Sequence, residues 1–203
     1  MKDLSLFFKL SLIAMLALCV SGKMTAFNLT GKKIALIIAH ENFRDEEFQE
    51  PHDLFTKSGA SVEIVSTSLE EARGMLGKTV KPTMLLSEVS VDDFDAIVFV
   101  GGSGATVYWN DETAHKIAKE ASEKGKIVAA ICISPVTLAN AGVLQGKRAT
   151  VWDDGSRSYI SKLEAGGASY VEQDVVRDGN VITANGPHAA RKFAEEIAKA
   201  LTE

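Results

Sequence analysis

The sequence predicts an α/β protein in which a mostly parallel sheet carries helices on both faces. Short apolar runs of strand length alternate along the chain with amphipathic helical patterns, as expected for successive β–α–β units. The apolar runs are continuous and do not alternate with polar residues, which is typical of strands buried on both faces. A chain of 203 residues, without repeats or linkers, suffices for one doubly wound sandwich, which we place at residues 23–203.

The first half of the chain alternates strand, helix and strand. Its predicted strands are the apolar runs Ile34–Ala39, Val62–Val65 and Ala96–Val100. Between the first two strands, a helical pattern runs through Leu54 and Phe55, and Gly59 ends it because glycine readily adopts the left-handed conformation at a helix end. Residues 67–93 have no clear period, and within them Lys78–Leu86 indicates a short strand or hairpin whose proline favours a sheet edge.

The second half continues the alternation. Its predicted strands are Ile127–Ile131, Ala149–Trp152, Tyr170–Val176 and Val181–Ala184. Asp111–Lys124 predicts a helix because its alanines and its isoleucine recur on one face. Pro135–Ala141 predicts a short helix, and a last helix with one apolar stripe begins at about His188.

Residues 1–22 predict a secretory signal that is removed from the mature protein. Lys2 and Lys9 supply positive charge, and the apolar run Leu10–Val20 is too short to span a membrane, so we expect a periplasmic or secreted protein without a membrane span. Two alternatives stay open. The segment could be a lipoprotein anchor, or translation could start at Met24 and give a cytoplasmic protein.

Composition and charge exclude several classes of protein. The formal net charge is −5 and the basic residues are scattered, so we expect no nucleic-acid partner. The two cysteines cannot form a disulfide framework, and neither has a second cysteine or histidine nearby at metal-ligand spacing. The glycine-rich loop at residues 101–104 lacks the later residues of a dinucleotide fingerprint and of a P-loop. The sequence therefore predicts neither a metal nor a cofactor.

Ligands of open α/β sheets bind at the carboxyl ends of the strands, where Cys132 is the candidate nucleophile. Small residues at Ala130 and Ser134 permit a sharp strand-to-helix turn, the nucleophile elbow. The helix start would lower the pKa of the thiol, and the N–H groups of Ile133 and Gly102 could stabilise an oxyanion. The alternative, that Cys132 is only a small buried apolar residue, stays open.

Other polar residues near this edge have ordinary structural interpretations. His40 and His188 follow strands, but no local motif ties either imidazole to Cys132. Asp45 and Glu46 are expected to be solvated at a helix start, where carboxylates interact favourably with the helix dipole.

Four segments in this order resemble the ThiJ/PfpI family of the class I glutamine amidotransferase-like superfamily. They are Phe43-Arg44-Asp45-Glu46-Glu47 with Pro51, Phe94-Asp95-Ala96 with Gly101-Gly102, Ala129-Ala130-Ile131-Cys132 with Pro135, and Asp178-Gly179-Asn180 with Gly186-Pro187. The resemblance covers about residues 32–201 and implies a flavodoxin-like fold. The family includes the parkinsonism-associated deglycase and the PfpI-type intracellular proteases.

The resemblance also implies site residues. Glu47 matches the glutamate that contacts the cysteine, Cys132 matches the nucleophile, and Gly102 and Ile133 match the oxyanion positions. A protonated Glu47 beside a thiolate avoids placing two negative charges together. The protease-like branch has histidine where this chain has Ile133, which removes the main support for a peptidase. The substrate pocket is expected to include Trp152, Pro187 and His188.

These residues lead to a functional expectation. The resemblance implies a homodimer and a cofactor-independent cysteine enzyme for small reactive carbonyl compounds, of glyoxalase or deglycase type, such as one converting methylglyoxal to lactate. The alternatives are a stress-protective protein that acts through oxidation of Cys132, a hydration similar to that of isocyanide hydratase, a binding module whose cysteine is vestigial and, last, a peptidase.

Overall fold

The structure, a computed structural model, describes residues 27–203, so the predicted signal at residues 1–22 and the alternative start at Met24 lie outside the described residues. In chain order the strands are β1 (Lys33–Ile37), β2 (Glu41–Phe43), β3 (Ser61–Ser66), β4 (Ala72–Gly74), β5 (Thr79–Val80), β6 (Met84–Leu85), β7 (Ala96–Phe99), β8 (Ile127–Ile131), β9 (Arg148–Ala149), β10 (Ser169–Tyr170), β11 (Val175–Asp178) and β12 (Val181–Ala184). The helices are α1 (Asp45–Lys57), α2 (Glu112–Glu123), α3 (Pro135–Asn140), α4 (Ser158–Ala165) and α5 (Ala190–Ala200).

Seven strands form the main sheet in the order β11-β12-β8-β7-β1-β3-β6. Every neighbouring pair is parallel except β11 and β12, which pair antiparallel at one edge. The two central strands, β7 and β8, are buried at every residue but for the slight exposure of Ile127, which explains their continuous apolar sequences. The predicted doubly wound, mostly parallel fold is confirmed.

Two apolar layers cover the two faces of this sheet. Because successive side chains of a strand point to opposite faces, Ile34 and Leu36 pack with α1 and α5, whereas Ala35 and Ile37 pack with α2, α3 and α4. The apolar stripes predicted for α2 and α5 are therefore each buried against one face of the sheet, whereas α4 was not predicted from the sequence.

Two predicted strands differ from the structure. The prediction of a strand over Ala149–Trp152 is wrong beyond Ala149, because the short strand β9 pairs only with β10, outside the main sheet. The prediction of one strand over Tyr170–Val176 is also wrong. The polar residues 172–174 have no partner strand, so the segment is divided between β10 and β11.

The unclear region at residues 67–93 contributes to two sheets. Strands β4 and β5 form a hairpin that joins β2 in a three-stranded sheet, while β6 pairs with β3 at the edge of the main sheet. The hairpin packs beside the start of α1, at the carboxyl ends of the central strands. This placement brings an irregular part of the sequence next to the candidate site.

Candidate functional site

The turn between β8 and α3 places Cys132 at the carboxyl edge of the sheet. Cys132 has a backbone φ of 64°, a left-handed conformation that costs a residue with a side chain on the order of 1–3 kcal/mol. Hydrogen bonds hold it there. Its N–H donates to the carbonyl of Ala184 at 2.9 Å, and its carbonyl accepts from the N–H of Trp152 at 2.8 Å. The hydroxyl of Ser134 donates to the carbonyl of Val100 at 2.8 Å and ties the turn to β7.

Glu47 reaches the same point from the first turns of α1. Its side chain is 0% exposed, and its Oε2 accepts the N–H of Gly101 at 3.1 Å. Its Oε1 is also buried and has no hydrogen-bond partner among the described residues. A Cβ atom on Gly101 would overlap both Glu47 Oε2 and the Cβ of Cys132, so glycine is required for the carboxyl and the thiol to come together.

Burial controls the proton affinity of this pair. Removal from water raises the pKa of the Glu47 carboxyl to about 8, so the carboxyl keeps its proton at neutral pH. Burial, and after it repulsion by the Glu47 carboxylate, raises the pKa of the Cys132 thiol to about 12. The N–H groups at the helix start do lower this pKa, as expected, but desolvation outweighs them, so the net pKa of the thiol is raised.

Two backbone N–H groups face the sulfur of Cys132. They belong to Gly102 and Ile133, and each lowers the pKa of the thiol, against the larger effect of burial. Gly102 has a φ of 102°, and a side chain there would collide with the backbone of residues 42–44, so the close approach of this loop depends on glycine. The two N–H groups are therefore placed to stabilise negative charge beside Cys132.

A cavity of about 280 Å³ opens over the pair. It is lined by Arg44, Glu47, Met75, Gly102, Ser103, Cys132, Ile133, Trp152, Tyr159 and Pro187. This volume suits a small molecule. A larger open groove of about 1370 Å³ lies between α5, β11 and residues 27–32, but neither cysteine nor histidine lines it.

The structure brings together six of the seven site residues expected from the sequence, and they are Cys132, Glu47, Gly102, Ile133, Trp152 and Pro187. The expectation that His188 lines the pocket is wrong. Its side chain is 57% exposed and its ring lies 3.3 Å from Asp174, because the short helical turn after Pro187 directs it away from the cavity. None of the four histidines, all within the described residues, lines this cavity.

The expectation that Asp45 is solvated is also wrong. It is 8% exposed, and its two oxygens accept the N–H groups of Leu76 at 2.9 Å and Lys78 at 2.8 Å. Glu46, in contrast, is partly exposed and pairs with Arg44 at 2.8 Å. Asp45 therefore fixes the turn of the β4–β5 hairpin.

Four lining residues were not predicted from the sequence as pocket residues, and they are Arg44, Met75, Ser103 and Tyr159. Met75 lies in the region whose period was unclear, and Tyr159 follows an irregular segment at the start of α4. No periodic pattern or motif marks either residue. Only the position of Ser103 and Arg44, directly beside the motif residues, offered a signal.

Within residues 27–203, no group of three or more His, Cys, Asp or Glu side chains is arranged to hold a metal ion. In the same part of the chain, no helix has the length and apolar character needed to cross a membrane.

Comparison with known proteins agrees with this fold. The model of the DJ-1/PfpI family matches residues 32–200. An uncharacterised protein of Methanocaldococcus jannaschii is 44% identical over 86% of this chain and 84% of that protein. The deglycase PfpI of Pyrococcus furiosus is 33% identical over 83% of this chain and 99% of that protein. The crystal structure of a ThiJ/PfpI domain protein from Brachyspira murdochii has a TM-score of 0.80 and 34% identity, covering 85% of this chain and 98% of that one.

Proposed function

The chain belongs to the DJ-1/PfpI family and is an enzyme or stress protein of that type, and from this we propose that it is a cofactor-independent cysteine enzyme for small reactive carbonyl compounds. The conversion of methylglyoxal to lactate is the reaction we propose to test. One observation carries the proposal: the buried Glu47 carboxyl meets Cys132 at a small cavity, and one of its oxygens has no hydrogen-bond partner within residues 27–203. Such a carboxyl can exchange a proton with a bound substrate.

The first step is addition of the thiol to the aldehyde. The sulfur of Cys132 loses its proton to water and forms a bond to the aldehyde carbon, the C=O π bond breaks, and the carbonyl oxygen receives a proton. The N–H groups of Gly102 and Ile133 are placed to stabilise the oxygen while it carries charge. A protonated Glu47 can supply the proton, because its raised pKa keeps the carboxyl neutral before the reaction. The product is a hemithioacetal.

The second step moves a proton between adjacent carbons. Glu47, now a carboxylate, removes the hydrogen from the former aldehyde carbon, and the electrons of that C–H bond form a C=C bond. The ketone oxygen takes the negative charge and then the proton of the neighbouring hydroxyl, which leaves an enediolate. Return of the proton to the second carbon gives the thioester of lactate. The first carbon is oxidised and the second is reduced, so no external oxidant or reductant is needed.

Water completes the reaction. It attacks the thioester carbonyl, the C–S bond breaks, and the thiol of Cys132 is restored. Methylglyoxal and one water molecule together contain the atoms of lactic acid, so the sequence of steps is balanced. The oxidation of one carbon and the reduction of its neighbour are internal to the substrate, so the proposed reaction needs no cofactor.

The same geometry bears differently on the three alternatives of peptidase, oxidation and hydration. A cavity of about 280 Å³ is small for a peptide segment, and Ile133 stands where the protease-like branch has histidine. Oxidation of Cys132 uses the same sulfur as the carbonyl reaction, so the thiol pKa of about 12 that burial produces counts equally against both. Hydration of an isocyanide would use the same cysteine and glutamate, and the substrate comparison below separates it.

The test is methylglyoxal consumption by the purified protein, with lactate as the measured product. We expect Cys132→Ser and Glu47→Gln each to abolish most turnover. Glu50→Gln is the matched control, since this substitution lies on the same helix at a partly exposed residue whose surface partner is Arg191, 3.8 Å away. Wild-type turnover that survives Cys132→Ser would overturn the mechanism. Hydration of an isocyanide without any consumption of methylglyoxal would favour the hydration alternative.

We also propose that the protein is a homodimer, as its resemblance to the family implies. Light scattering at micromolar concentration measures the mass directly. A monomer mass at every concentration would contradict this expectation.

Export through residues 1–22 is likewise a proposal. Mass spectrometry of the protein isolated from its own cells tests it, because removal of the signal leaves a chain that begins near residue 23. An intact amino terminus at Met1, or one at Met24, would contradict it.

A further inference from the structure

Three successive N–H groups after β7 serve three different side chains of the cavity. The N–H of Gly101 donates to Glu47 Oε2 at 3.1 Å, and the N–H of Gly102 faces the sulfur of Cys132. The third, from Ser103, donates to the thioether sulfur of Met75 at 3.4 Å. One short loop therefore presents a row of donors, and a side chain from the β4–β5 hairpin covers the last donor of the row.

The third hydrogen bond is the weakest of the row. A thioether is a poor acceptor compared with a carboxyl oxygen, so the N–H of Ser103 loses little when the sulfur leaves. Met75 is 42% exposed, whereas Glu47 is 0% and Cys132 is 9% exposed. An exposed methionine side chain with three rotatable bonds can change rotamer at low cost. Ser103 thus has the N–H group that a ligand can take over most easily.

The backbone that carries Met75 is held in place. The N–H of Met75 donates to the carbonyl of Phe43 at 2.9 Å, and Asp45 accepts the N–H groups of Leu76 and Lys78. These contacts fix the turn from both sides. Movement at this wall of the cavity is therefore confined to the side chain of Met75.

We propose that Met75 is a specificity-determining residue that covers a substrate-binding N–H, that of Ser103. The inference rests on the proposed function. Ser103 and Met75 line the same cavity as Cys132, so a carbonyl substrate bonded to Cys132 can extend a second oxygen, on its neighbouring carbon, toward the N–H of Ser103. The thioether moves aside and the second oxygen accepts the N–H. Substrates without a second oxygen gain no such hydrogen bond and have to compete with the sulfur for space.

Two substitutions of similar size separate this role from simple packing. Met75→Gln introduces an amide oxygen, a stronger acceptor that the substrate has to displace, so KM for methylglyoxal rises by about two- to tenfold with kcat unchanged. Met75→Leu keeps the volume without a strong acceptor, and KM does not rise. Leu76→Gln is the matched control, because Leu76 lies in the same turn but is 63% exposed and outside the cavity lining. The proposal is overturned if Leu raises KM as much as Gln does, or if Gln leaves KM unchanged.

A binding measurement tests the inference without turnover. In ¹⁵N-labelled Cys132→Ser protein, hydroxyacetone, a ketone with an oxygen on the adjacent carbon, shifts the amide proton of Ser103 on saturation. Acetone, which lacks the second oxygen, leaves this proton nearly unchanged at equal concentration. In the Cys132→Ser/Met75→Gln double variant, the hydroxyacetone concentration needed for the shift rises two- to tenfold, as KM does.

The two measurements distinguish the inference from the proposed function. If the Ser103 amide shifts in a protein that does not consume methylglyoxal, the proposed role of Met75 stands and the proposed reaction is rejected. If the protein turns over methylglyoxal, the KM of Met75→Gln equals that of the wild type, and the Ser103 amide does not shift, then the proposed reaction stands and the proposed role of Met75 is rejected.

Discussion

Two carboxyl groups in the first turn of α1 are both buried but differ in the number of hydrogen bonds they accept. Asp45 is 8% exposed, and each of its oxygens accepts a backbone N–H from the β4–β5 turn. Glu47, two residues later, is 0% exposed and accepts one such N–H, from Gly101, while its second oxygen has no partner in the part of the chain that the structure describes. The same helix turn thus holds one carboxyl group with a hydrogen bond to each oxygen and one with a hydrogen bond to a single oxygen.

The difference separates a structural region from a chemical one. Around Asp45, hydrogen bonds offset the free-energy cost of burying the carboxyl group, and the same bonds fix the hairpin. The region around Glu47 leaves part of this cost uncompensated, and the consequence is a pKa raised to about 8. A proton held with that affinity can be given and taken back near neutral pH, which is what the proposed reaction needs.

The largest expected effect is on turnover. Glu47→Gln keeps the shape of the side chain but removes the exchangeable proton, so kcat for methylglyoxal, and kcat/KM with it, falls by about 10²- to 10⁴-fold. Asp45→Asn, the same chemical change two residues earlier, leaves kcat within about threefold because Asp45 lies outside the cavity lining. Steady-state kinetics of both variants at one pH measures the comparison. Equal losses in kcat would mean that the two regions are not separate.

The next effect is on the pH dependence of stability. Because the folded-state pKa of Glu47 is about 8 and its ordinary value is 4.5, the folded protein binds an additional proton between these two values. The contribution of Glu47 to the free energy of unfolding is therefore greatest in acid and is lost as the pH rises. Between about pH 5 and about pH 8.5 the loss amounts to roughly 3–4 kcal/mol.

Urea denaturation of the wild type and Glu47→Gln across this range measures the effect. The two free energies of unfolding should agree near the acid end, where Glu47 is neutral in the folded protein, and the variant should be the more stable at the alkaline end. Using the difference between the two proteins removes the contributions of all other titrating groups. A constant difference across the range would contradict the raised pKa of Glu47.

Sequence reasoning succeeded for Glu47 and failed for Asp45 for a physical reason. The motif around Glu47 and the small residues around Cys132 are local, so the sequence could point to both. The environment of Asp45 depends on backbone N–H groups of Leu76 and Lys78, which lie 31 and 33 residues away in a segment without a clear period. Nothing local distinguishes a carboxylate at a solvated helix start from one that meets a distant turn.

The same reasoning applies to the fold and the cavity. The strands of the main sheet could be predicted from the sequence where they are buried on both faces, as in β7 and β8, because burial on both faces requires continuous apolar residues. The positions of Met75 and Tyr159 in the cavity could not be predicted, because these residues reach it from a hairpin turn and from the start of α4. Residues of irregular segments are placed by tertiary contacts, which leave no period in the sequence.

The smallest expected effect concerns the hairpin. Asp45→Asn replaces one carboxylate oxygen by an NH₂ group, which cannot accept the N–H of Leu76 or Lys78, so the free energy of unfolding falls by about 1–3 kcal/mol. The same change loosens the turn that carries Met75, so KM for methylglyoxal changes while kcat holds within about threefold. Urea denaturation beside steady-state kinetics measures both. A stable Asp45→Asn protein would mean that the carboxylate is dispensable to the turn, and a fall in kcat as deep as that of Glu47→Gln would mean that the hairpin and the proton-exchanging carboxyl act as one unit.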